Sequence, residues 1–555
     1  MNLSSLGKAA LINAQNNLQT IGHNINNAAV EGYSRQTVLS QTAGATSTGA
    51  GYIGRGVQAV TVQRAYDGFL TGQLVKAQST GAALVAYGHE IAQVNNLFSD
   101  RTTGINPAIQ HFFDGLHAVA SAPADAAARQ ELLGRAESLA TQLNDANTFL
   151  HSQRENINLQ LHTTVSQINS YLERVNDINQ QIVAAKASSP HHAPNDLLDQ
   201  RDQLVSELNQ LVDVKVHEQD GLFNLSIGNG QVVLGGTKVF PLEVQPSDTD
   251  PSRSVIAYTS AIVDGEAKMV QLNDTSFKGG QLGGLLSYRS ESLDATQNAL
   301  GRLALGIAHQ VNSVHADGFD LEGNAATDFF SFKLSAPIPT GAEGEPIPQL
   351  SINLVDSGKL TGNDYVVEFS DGNYTVRTLP NGAAQVIDDP SSFTVDGIEF
   401  SFDAADQAVE GDSWLIQPTR HAAGDFSVAI KDPSKIAAAG VNEDGEFLGS
   451  ANGDVALKLA ALQSQKVLGN GSLNFNDAFG QIVNGVAVQA QQNGTAAKAQ
   501  SNLIQQNYAA QQRVAGVNLN EEYIMLDRYV EQFRAASRLI DVSSSIFDTL
   551  LSLRS

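Results

Sequence analysis

Several features that many proteins have are absent from this sequence. It contains no cysteine, which excludes disulfide bonds and thiolate metal sites and suits a protein that meets an oxidising exterior. It has no run of 18 apolar residues, so we expect neither a transmembrane helix nor membrane insertion. Residues 1–8 lack a basic region followed by an apolar one, so we expect no cleaved signal peptide.

Basic residues are also scarce. Lys and Arg number 33 against 58 Asp and Glu, a formal net charge of −25, so nucleic acid is a poor partner for this surface. Hydrophobic residues make up 42% of the chain and charged residues 16%, which is typical of a globular protein. A length of 555 residues predicts about three to four domains.

The C-terminal segment carries the strongest helical pattern. Asn518 and Glu521 form a plausible N-cap and capping box just after Gly516. From there, mostly apolar positions recur in alternating steps of four and three, which predicts a coiled-coil seam; the positions are Leu519, Tyr523, Leu526, Val530, Phe533, Ser537, Ile540, Ser544, Phe547 and Leu551. Because one such helix buries little by itself, we expect it to need a partner.

The N-terminal segment has a shorter seam of the same type, which makes it the expected partner. Its apolar positions are Leu11, Ala14, Leu18, Ile21, Ile25 and Ala28. The remaining positions carry amides instead of charges, and amides can pair with neighbours in a dense assembly; these are Asn13, Gln15, Asn16, Asn17, Gln19, Asn24, Asn26 and Asn27. Gly32-Tyr33 is predicted to stop the helix.

Between the two ends, helical periodicity predicts an elongated helical shaft. One apolar face runs unbroken through residues 132–182 and would span about 75 Å at 1.5 Å per residue. After the stop at 188–190, residues 196–212 are predicted to fold back as an antiparallel hairpin. The other predicted helices comprise residues 70–98, 105–119 and 283–314, one beginning near 454, and 475–515.

Period-two patterns and Asp-Gly or Asn-Gly turns predict β-rich modules inserted into this shaft. Four prolines between 334 and 349 mark the start of one of them. Residues 334–450 hold 19 Asp plus Glu against 5 Lys plus Arg, a net charge of −14, which favours a solvent-facing module over a cation-recruiting surface. The predicted class is α+β multidomain, with a long bundle and coiled coil built from both termini and outer β-rich domains.

This interpretation gives seven segments. They are an axial helix at 1–33, a shaft with a loop and hairpin start at 34–212, a small β-rich module at 213–276, the shaft continued at 277–333, an acidic β-rich outer domain at 334–430, the returning shaft at 431–516, and the axial coiled-coil helix at 517–555.

No motif supports an enzyme, so we predict no catalytic, cofactor-binding or metal-binding residue. Gly54-x-Gly56-x-x-Ala59 leads into a β-like run instead of opening a helix, which argues against a dinucleotide site. Gln93 stands where a zinc-protease helix starting at His89 needs its second histidine. His191-His192 has no third ligand in view, and residues 317–324 place Gly323 in the wrong register for a calcium loop.

Several sequence blocks resemble flagellar axial proteins, and together they resemble the hook-associated protein 1 family. The general axial signature is similar to residues 14–18, 24–27 and 32–36. Blocks similar to the junction family itself are 195–202, 211–214, 279–286, 298–304, 411–420 and 539–551. The resemblance covers the chain from end to end.

This resemblance implies a structural adaptor, located outside the cell, that joins hook to filament. It implies type III export without signal cleavage, a chaperone on the C-terminal helix, and terminal helices that order on assembly with other copies, with hook protein below and with hook-associated protein 3 above. A hook- or filament-type subunit is the nearest alternative. A secreted adhesin or enzyme on an axial scaffold, active within 334–450, is a more distant one.

Overall fold

The computed structural model describes residues 3–49, 51–98, 104–263, 266–341, 347–403, 408–443 and 445–553. Its helices are α1 (Leu3–Asn27), α2 (Gly68–Phe98), α3 (Ile105–Ser121), α4 (Ala126–Ser188), α5 (Asn195–Leu211), α6 (Gly280–Tyr288), α7 (Asp294–His315), α8 (Asp454–Ala461), α9 (Phe475–Ala515) and α10 (Leu519–Ser552). A π-helical turn (Arg289–Leu293) joins α6 to α7, where the sequence predicted one continuous helix.

The strands before residue 280 form four sheets. They are β1 (Gln36–Thr42), β2 (Ala45–Thr48), β3 (Gly51–Gly54), β4 (Val57–Arg64), β5 (Val214–Gln219), β6 (Leu222–Ile227), β7 (Gln231–Gly235), β8 (Lys238–Val239), β9 (Leu242–Pro246), β10 (Ser254–Val263) and β11 (Glu266–Leu272). The pairs β1-β4 and β2-β3 form a two-stage hairpin, and the orders β5-β6-β7-β8 and β11-β10-β9 form the two larger sheets.

The later strands lie mostly in one two-sheet region. They are β12 (Phe330–Ser331), β13 (Ile338–Thr340), β14 (Leu350–Leu354), β15 (Tyr365–Ser370), β16 (Asn373–Thr378), β17 (Ala384–Val386), β18 (Phe393–Val395), β19 (Ile398–Phe402), β20 (Ser413–Ile416) and β21 (Ser427–Val428). The orders β13-β20-β15-β16-β17 and β14-β19-β18 make the two sheets, whereas β12 pairs with β21. We call the region from β13 to β20 the outer region.

The two chain ends pair as antiparallel helices, which we call the axial helix pair. Near one end of the pair, a Cβ added to Gly7 would lie 2.8 Å from Ile540 Cγ1 and 3.2 Å from the carbonyl oxygen of Ala536. Near the other end, Asn24 contacts Glu522. Small residues therefore let α1 and α10 approach closely, and the predicted pairing of the termini is confirmed.

The shaft is built around α4, whose N-cap Asp125 accepts a hydrogen bond from the backbone N–H of Ala127. With 63 residues, α4 is about 95 Å long, which exceeds the prediction because the helix extends beyond the predicted apolar face at both ends, from Ala126 to Ser188. Its buried face runs from Leu132 to Ile182 as predicted. That face and parts of α3, α5, α7, α8 and α9 form one continuous main core.

Helices α2 and α9 extend the shaft toward the axial pair and are held together by amide side chains. Asn493 Nδ2 donates to the carbonyl oxygen of Leu84, Gln500 Nε2 to that of Ala77 and Asn507 Nδ2 to that of Gln73. These donors recur every seven residues, so they share one face of α9. This part of α9 thus packs against α2 through hydrogen bonds more than through apolar burial.

The outer region has a second core of its own. Trp414, Tyr365 and Phe400 are fully buried in it, and Trp414 Nε1 donates to the carbonyl oxygen of Pro348 at 3.0 Å. Phe426 and Ile430, which lie inside the predicted 334–430 outer segment, pack instead in the main core. The two cores meet where α7 contributes Leu305 to the outer one.

Turn chemistry explains most of the hairpins. Asp220-Gly221, Asp371-Gly372 and Asp396-Gly397 have positive φ at both residues, which is the geometry of two-residue turns that match strand twist. The predicted turn at Asn381-Gly382 differs, because neither residue has positive φ and a longer connection separates β16 from β17. Gly56, with φ of +94°, leads into β4 as the sequence indicated.

Candidate assembly interface

Three separate sequence blocks meet at the end of the axial helix pair nearest the shaft, which we call the base. The first is the segment after α1, the second is the acidic start of α5, and the third is the first turn of α10. Residues 32–36 and 195–202, which carried the family resemblance, contact each other here.

Glu522 of α10 is the most deeply buried charge among the contacts of the base, with only 1% of its surface exposed. Its Oε1 accepts a hydrogen bond from Arg35 Nε at 2.6 Å, and its Oε2 accepts one from Asn24 Nδ2 at 3.0 Å. A buried carboxylate is costly unless it is paired and hydrogen-bonded. The hydrogen bonds from these two donors therefore make a carboxylate favourable at this buried position of α10.

Asn24 of α1 links the termini to the first strand. Its Oδ1 accepts from Tyr33 Oη at 2.7 Å and from the backbone N–H of Gln36 at 2.9 Å, while its Nδ2 also donates to the carbonyl oxygen of Gln36 at 2.9 Å. Burial, together with the nearby charges of Asp196 and Asp199, raises the pKa of the Tyr33 phenol, so the phenol stays a donor at neutral pH. The side chain of Asn24 thus fixes the exit of the chain from α1.

The acidic start of α5 holds the same strand from the other side. Asp199 accepts from the backbone N–H of Ser34 at 2.9 Å and from Arg64 at 2.7 Å, and Asp202 pairs with Arg64 at 2.7 Å. Burial raises the pKa of the Asp202 carboxyl, although Arg64 opposes this effect. Gln36 Nε2 donates to Asp196 at 2.7 Å. The base therefore connects the axial helix pair to the shaft through a polar network.

The predicted seam residues are only partly covered within this chain. In α1, Ala14 and Ile21 are buried, whereas Leu11, Leu18 and Ile25 are half-buried, as is Ala28 just after the helix. In α10, Leu526, Val530, Phe533 and Ile540 are half-buried, whereas Leu519, Tyr523, Phe547 and Leu551 are exposed. Their role in assembly with other molecules stays a prediction.

The residues that α1 and α10 bury most deeply are partly ones that the sequence analysis did not select. Gly7, Asn17 and Asn24 join Ala14 and Ile21 on the buried side of α1, although the predicted apolar seam did not include them. In α10 the buried residues are Glu522 and Ala536. Heptad spacing of Gly7, Ala14 and Ile21, and of Asn17 and Asn24, was the available signal.

At the end away from the base, α10 extends beyond its partner. Because Gly7 lies against Ala536 and Ile540, the start of α1 at Leu3 reaches only about one turn further along α10. By this spacing the described part of α1 ends near residue 544 of α10, and we call residues 544–553 the overhang. Phe547 is 59% exposed and Leu553 is 79% exposed, and Ile546, Leu550 and Leu551 are exposed as well.

Ionisable residues elsewhere form structural contacts. Within the described ranges, no group of three or more His, Asp or Glu side chains is arranged to hold a metal ion. The predicted non-calcium turn near Gly323 is closed by Asp320, which accepts from the backbone N–H groups of Glu322 and Asn324 and pairs with Lys435 at 3.1 Å. Its pKa is lowered to about 2, because these hydrogen bonds outweigh the opposing effect of burial.

Comparisons with known proteins place this architecture among flagellar hook-associated proteins. A family model described as the helical domain of flagellar hook-associated protein FlgK matches residues 91–330. Flagellar hook-associated protein 1 of Salmonella typhimurium is 35% identical over 98% of both chains, and that of Escherichia coli is 34% identical over 98% of this chain and 97% of its own. The flagellar hook junction protein FlgK of Burkholderia pseudomallei has 28% identity and a TM-score of 0.72, covering 80% of this chain and 100% of its own.

The protein is therefore an exported structural component of the bacterial flagellum. More specifically, the chain belongs to the flagellar hook-associated protein 1 family and is a structural protein of the hook–filament junction. The predicted family and adaptor role are confirmed, and the alternative of a hook- or filament-type subunit is set aside. In the part of the chain that the structure covers, no helix is both long and apolar enough to cross a membrane.

Proposed function

We propose that this protein joins hook to filament through its axial helix pair, which packs with the pairs of neighbouring copies inside a helical tube. The single observation that carries this proposal is the exposed overhang of α10, with Phe547 and Leu553 among its uncovered side chains. Apolar side chains at this density on one end of a helix favour association. The base keeps the pair attached to the shaft while the overhang contacts other molecules.

This geometry supports contacts between copies of the chain, whereas hook protein and hook-associated protein 3 are partners that the family resemblance implies. The overhang lies at one end of the pair, and exposed Tyr523 and Ile524 lie near the base. Contacts between unlike ends of successive copies are heterologous, and such contacts build open helical assemblies. We infer that copies of this chain contact one another in this way, with hook protein on one side and hook-associated protein 3 on the other.

The overhang provides the sharpest test. Removing residues 544–553 should leave a folded, soluble protein, because neither core includes them, yet cells carrying only this version should not swim. Negative-stain images should show bare hooks. Swarm-plate motility and circular dichroism of the purified protein measure the two effects.

Point variants separate loss of apolar contacts from simple shortening. Ile546→Ser with Leu550→Ser should reproduce the bare hooks, because both exposed side chains would become polar. The matched control is Asp541→Asn with Asp548→Asn, on a polar groove of the same helix, and it should retain motility. Full-length filaments built on the truncated protein would contradict the proposal.

The export chaperone that the family resemblance implies is proposed to bind the same helix before secretion. The exposed apolar residues of α10 support this idea, since they are available until the protein assembles. Calorimetric titration of the purified protein with the chaperone should give binding that the double serine variant weakens at least tenfold. Unchanged affinity would place the chaperone site elsewhere.

A further inference from the structure

A buried ionic cluster lies where the outer region joins the shaft, far along the sequence from the axial residues. Its centre is Asp294, the first residue of α7. Its other members come from α4, from the connections of the sheet β9–β11, from the π-helical turn, from the outer region and from the segment that follows β20. The whole cluster comprises Arg154, Asp250, Arg253, Asp274, Arg289, Asp294, Asp364 and Arg420.

Asp294 receives three arginines. Its Oδ1 contacts Arg154 at 2.6 Å and Arg420 at 3.1 Å, and its Oδ2 contacts Arg253 at 2.8 Å. Burial by itself would raise the pKa of this carboxyl, but the combined charges of Arg420, Arg154 and Arg253 lower it. Asp294 therefore stays ionised, and its single carboxylate group links three segments of the chain.

The outer region is attached to α7 through its own Asp364 and through Arg420, which lies in the segment that follows β20. Arg420 pairs with Asp364 and donates its Nε–H to Asn298 of α7 at 2.8 Å. Asn298 Nδ2 in turn donates to Asp364 at 2.9 Å. Beside this contact, a Cβ added to Gly301 of α7 would overlap the carbonyl oxygen of Thr419, so the backbone of the outer region's exit lies directly on the helix.

The π-helical turn explains how one helix supplies two members of the cluster. The backbone N–H of Asp294 donates to the carbonyl oxygen of Arg289, five residues back. In a regular α-helix two residues five positions apart point about 140° away from each other. The wider turn brings them toward the same side, and such turns often mark functional positions. Arg289 and Arg253 then share Asp274, at 2.8 and 2.6 Å.

The balance of charges in the cluster indicates that it specifies how the outer region sits on the shaft more than it adds to the free energy of unfolding. Four arginines face four aspartates, so the cluster is formally neutral, and the arginines 154, 289 and 420 are almost fully buried. A well-packed apolar contact could hold two domains together as firmly as a buried ion pair. A buried ion pair differs in one respect, because a shift that separates its members leaves a buried charge without its partner, which is strongly destabilising.

We propose that this cluster is a positioning joint that holds the outer region on the shaft in a single orientation. Asp294 and Arg420 are its central positioning residues. In an assembled tube the axial helices would lie inside, so the joint would fix the direction in which every outer region projects.

The absence of cysteine allows a direct distance measurement. Cysteines introduced at exposed Leu159 of α4 and exposed Val386 of β17 carry two spin labels, and double electron–electron resonance gives their distance distribution in the full chain. The parent should give one narrow peak. Arg420→Met and Asp294→Asn should each broaden that peak at least twofold, because a buried partner loses its counter-charge.

Two controls keep the result interpretable. Lys435→Gln removes ion pairs with Asp320 and Glu322 outside the joint and should leave the peak unchanged. A second label pair within the outer region, at Val355 and Val386, should give a narrow distance peak in all variants, which would show that the outer region is still folded. A peak of parental width in folded Arg420→Met and Asp294→Asn would overturn the proposal.

If Arg420→Met or Asp294→Asn fails to fold, exchanging the charges of Arg420 and Asp364 still tests the proposal. Arg420→Asp alone should broaden the peak or unfold the outer region, because three carboxylates would then face each other. Combining Arg420→Asp with Asp364→Arg restores the pair in reverse and should recover a narrower peak. A double variant as broad as the single one would count against a specific joint.

Discussion

The axial helix pair and the outer region differ in how far they bury their large apolar side chains. The outer region encloses Trp414, Tyr365 and Phe400 almost completely in its own core. The axial pair fully buries few residues, most of which are small or polar and one of which is the carboxylate Glu522, and it leaves large apolar side chains such as Phe547 uncovered. From this comparison we expect the outer region to be stable by its own packing, and we expect the axial pair to depend on contacts that other molecules complete.

The largest expected effect would come from breaking the outer core. Trp414→Ala removes a fully buried ring and its hydrogen bond to Pro348, so the free energy of unfolding of the outer region should fall by about 3–5 kcal/mol. Urea unfolding followed by hydrogen exchange should locate the loss between β13 and β20. The matched control Val386→Ala, on an exposed edge strand, should change stability by less than about 0.5 kcal/mol.

Amide protection in α1 and α10 should remain at the parental level in Trp414→Ala. If the axial helices lost protection together with the outer sheets, the two regions would be one cooperative unit and the contrast between them would fail.

A smaller effect should follow from removing the one buried charge of the axial pair. Glu522→Ala eliminates two charge-assisted hydrogen bonds, from Arg35 and Asn24, and should lower the local stability of the α1–α10 contact by about 2–3 kcal/mol. Hydrogen exchange of α1 and of the first turns of α10 measures this loss.

Glu521→Ala is the matched control for that variant. Glu521 also pairs with Arg35, at 3.6 Å, but it is exposed, so its removal should cost less than about 1 kcal/mol. Equal effects of the two substitutions would show that burial of Glu522 is not what holds the pair to the base.

Acid should weaken the shaft through His315. Its Nδ1–H donates to the carbonyl oxygen of Thr327 at 2.7 Å and its Nε2 accepts from the backbone N–H of Ala437 at 2.8 Å, so the folded protein needs the neutral ring. Burial lowers the pKa of His315 from 6.5 to about 4. Since the folded pKa is below the unfolded one, this stabilisation is complete above about pH 6.5 and is lost as the pH falls toward 4.

Between pH 8 and pH 5 the loss should amount to about 2 kcal/mol in the free energy of unfolding. Chemical denaturation at several pH values measures it, and His315→Gln, which keeps one donor and one acceptor without titrating, isolates the contribution of this residue. Parallel pH dependence in parent and variant would exclude the histidine as the cause. The base of the axial pair, which contains no buried histidine among the residues described above, should lose less protection over the same range.

Local sequence signals located most of the helices and turns. The apolar face of α4 was readable because its spacing stays regular over many turns, and the Asp-Gly hairpins because both turn residues need positive φ. The π-helical turn at Arg289–Leu293 was not readable, since it replaces one hydrogen-bonding pattern by another without changing composition. The start of α4 was also missed, because an alanine-rich first turn carries no periodic signal.

The sequence by itself determined that two long amphipathic helices stand at the ends of the chain, with a helical shaft and β-rich insertions between them, because periodicity and turn chemistry are local. Only the tertiary structure decided which side of each terminal helix is buried. From the sequence, a carboxylate such as Glu522 is expected on the surface. Its burial becomes favourable only because the fold brings Arg35 and Asn24, nearly 500 positions away, into contact with it. The same holds for Asp294, since its burial becomes favourable only where distant arginines converge on one carboxyl group.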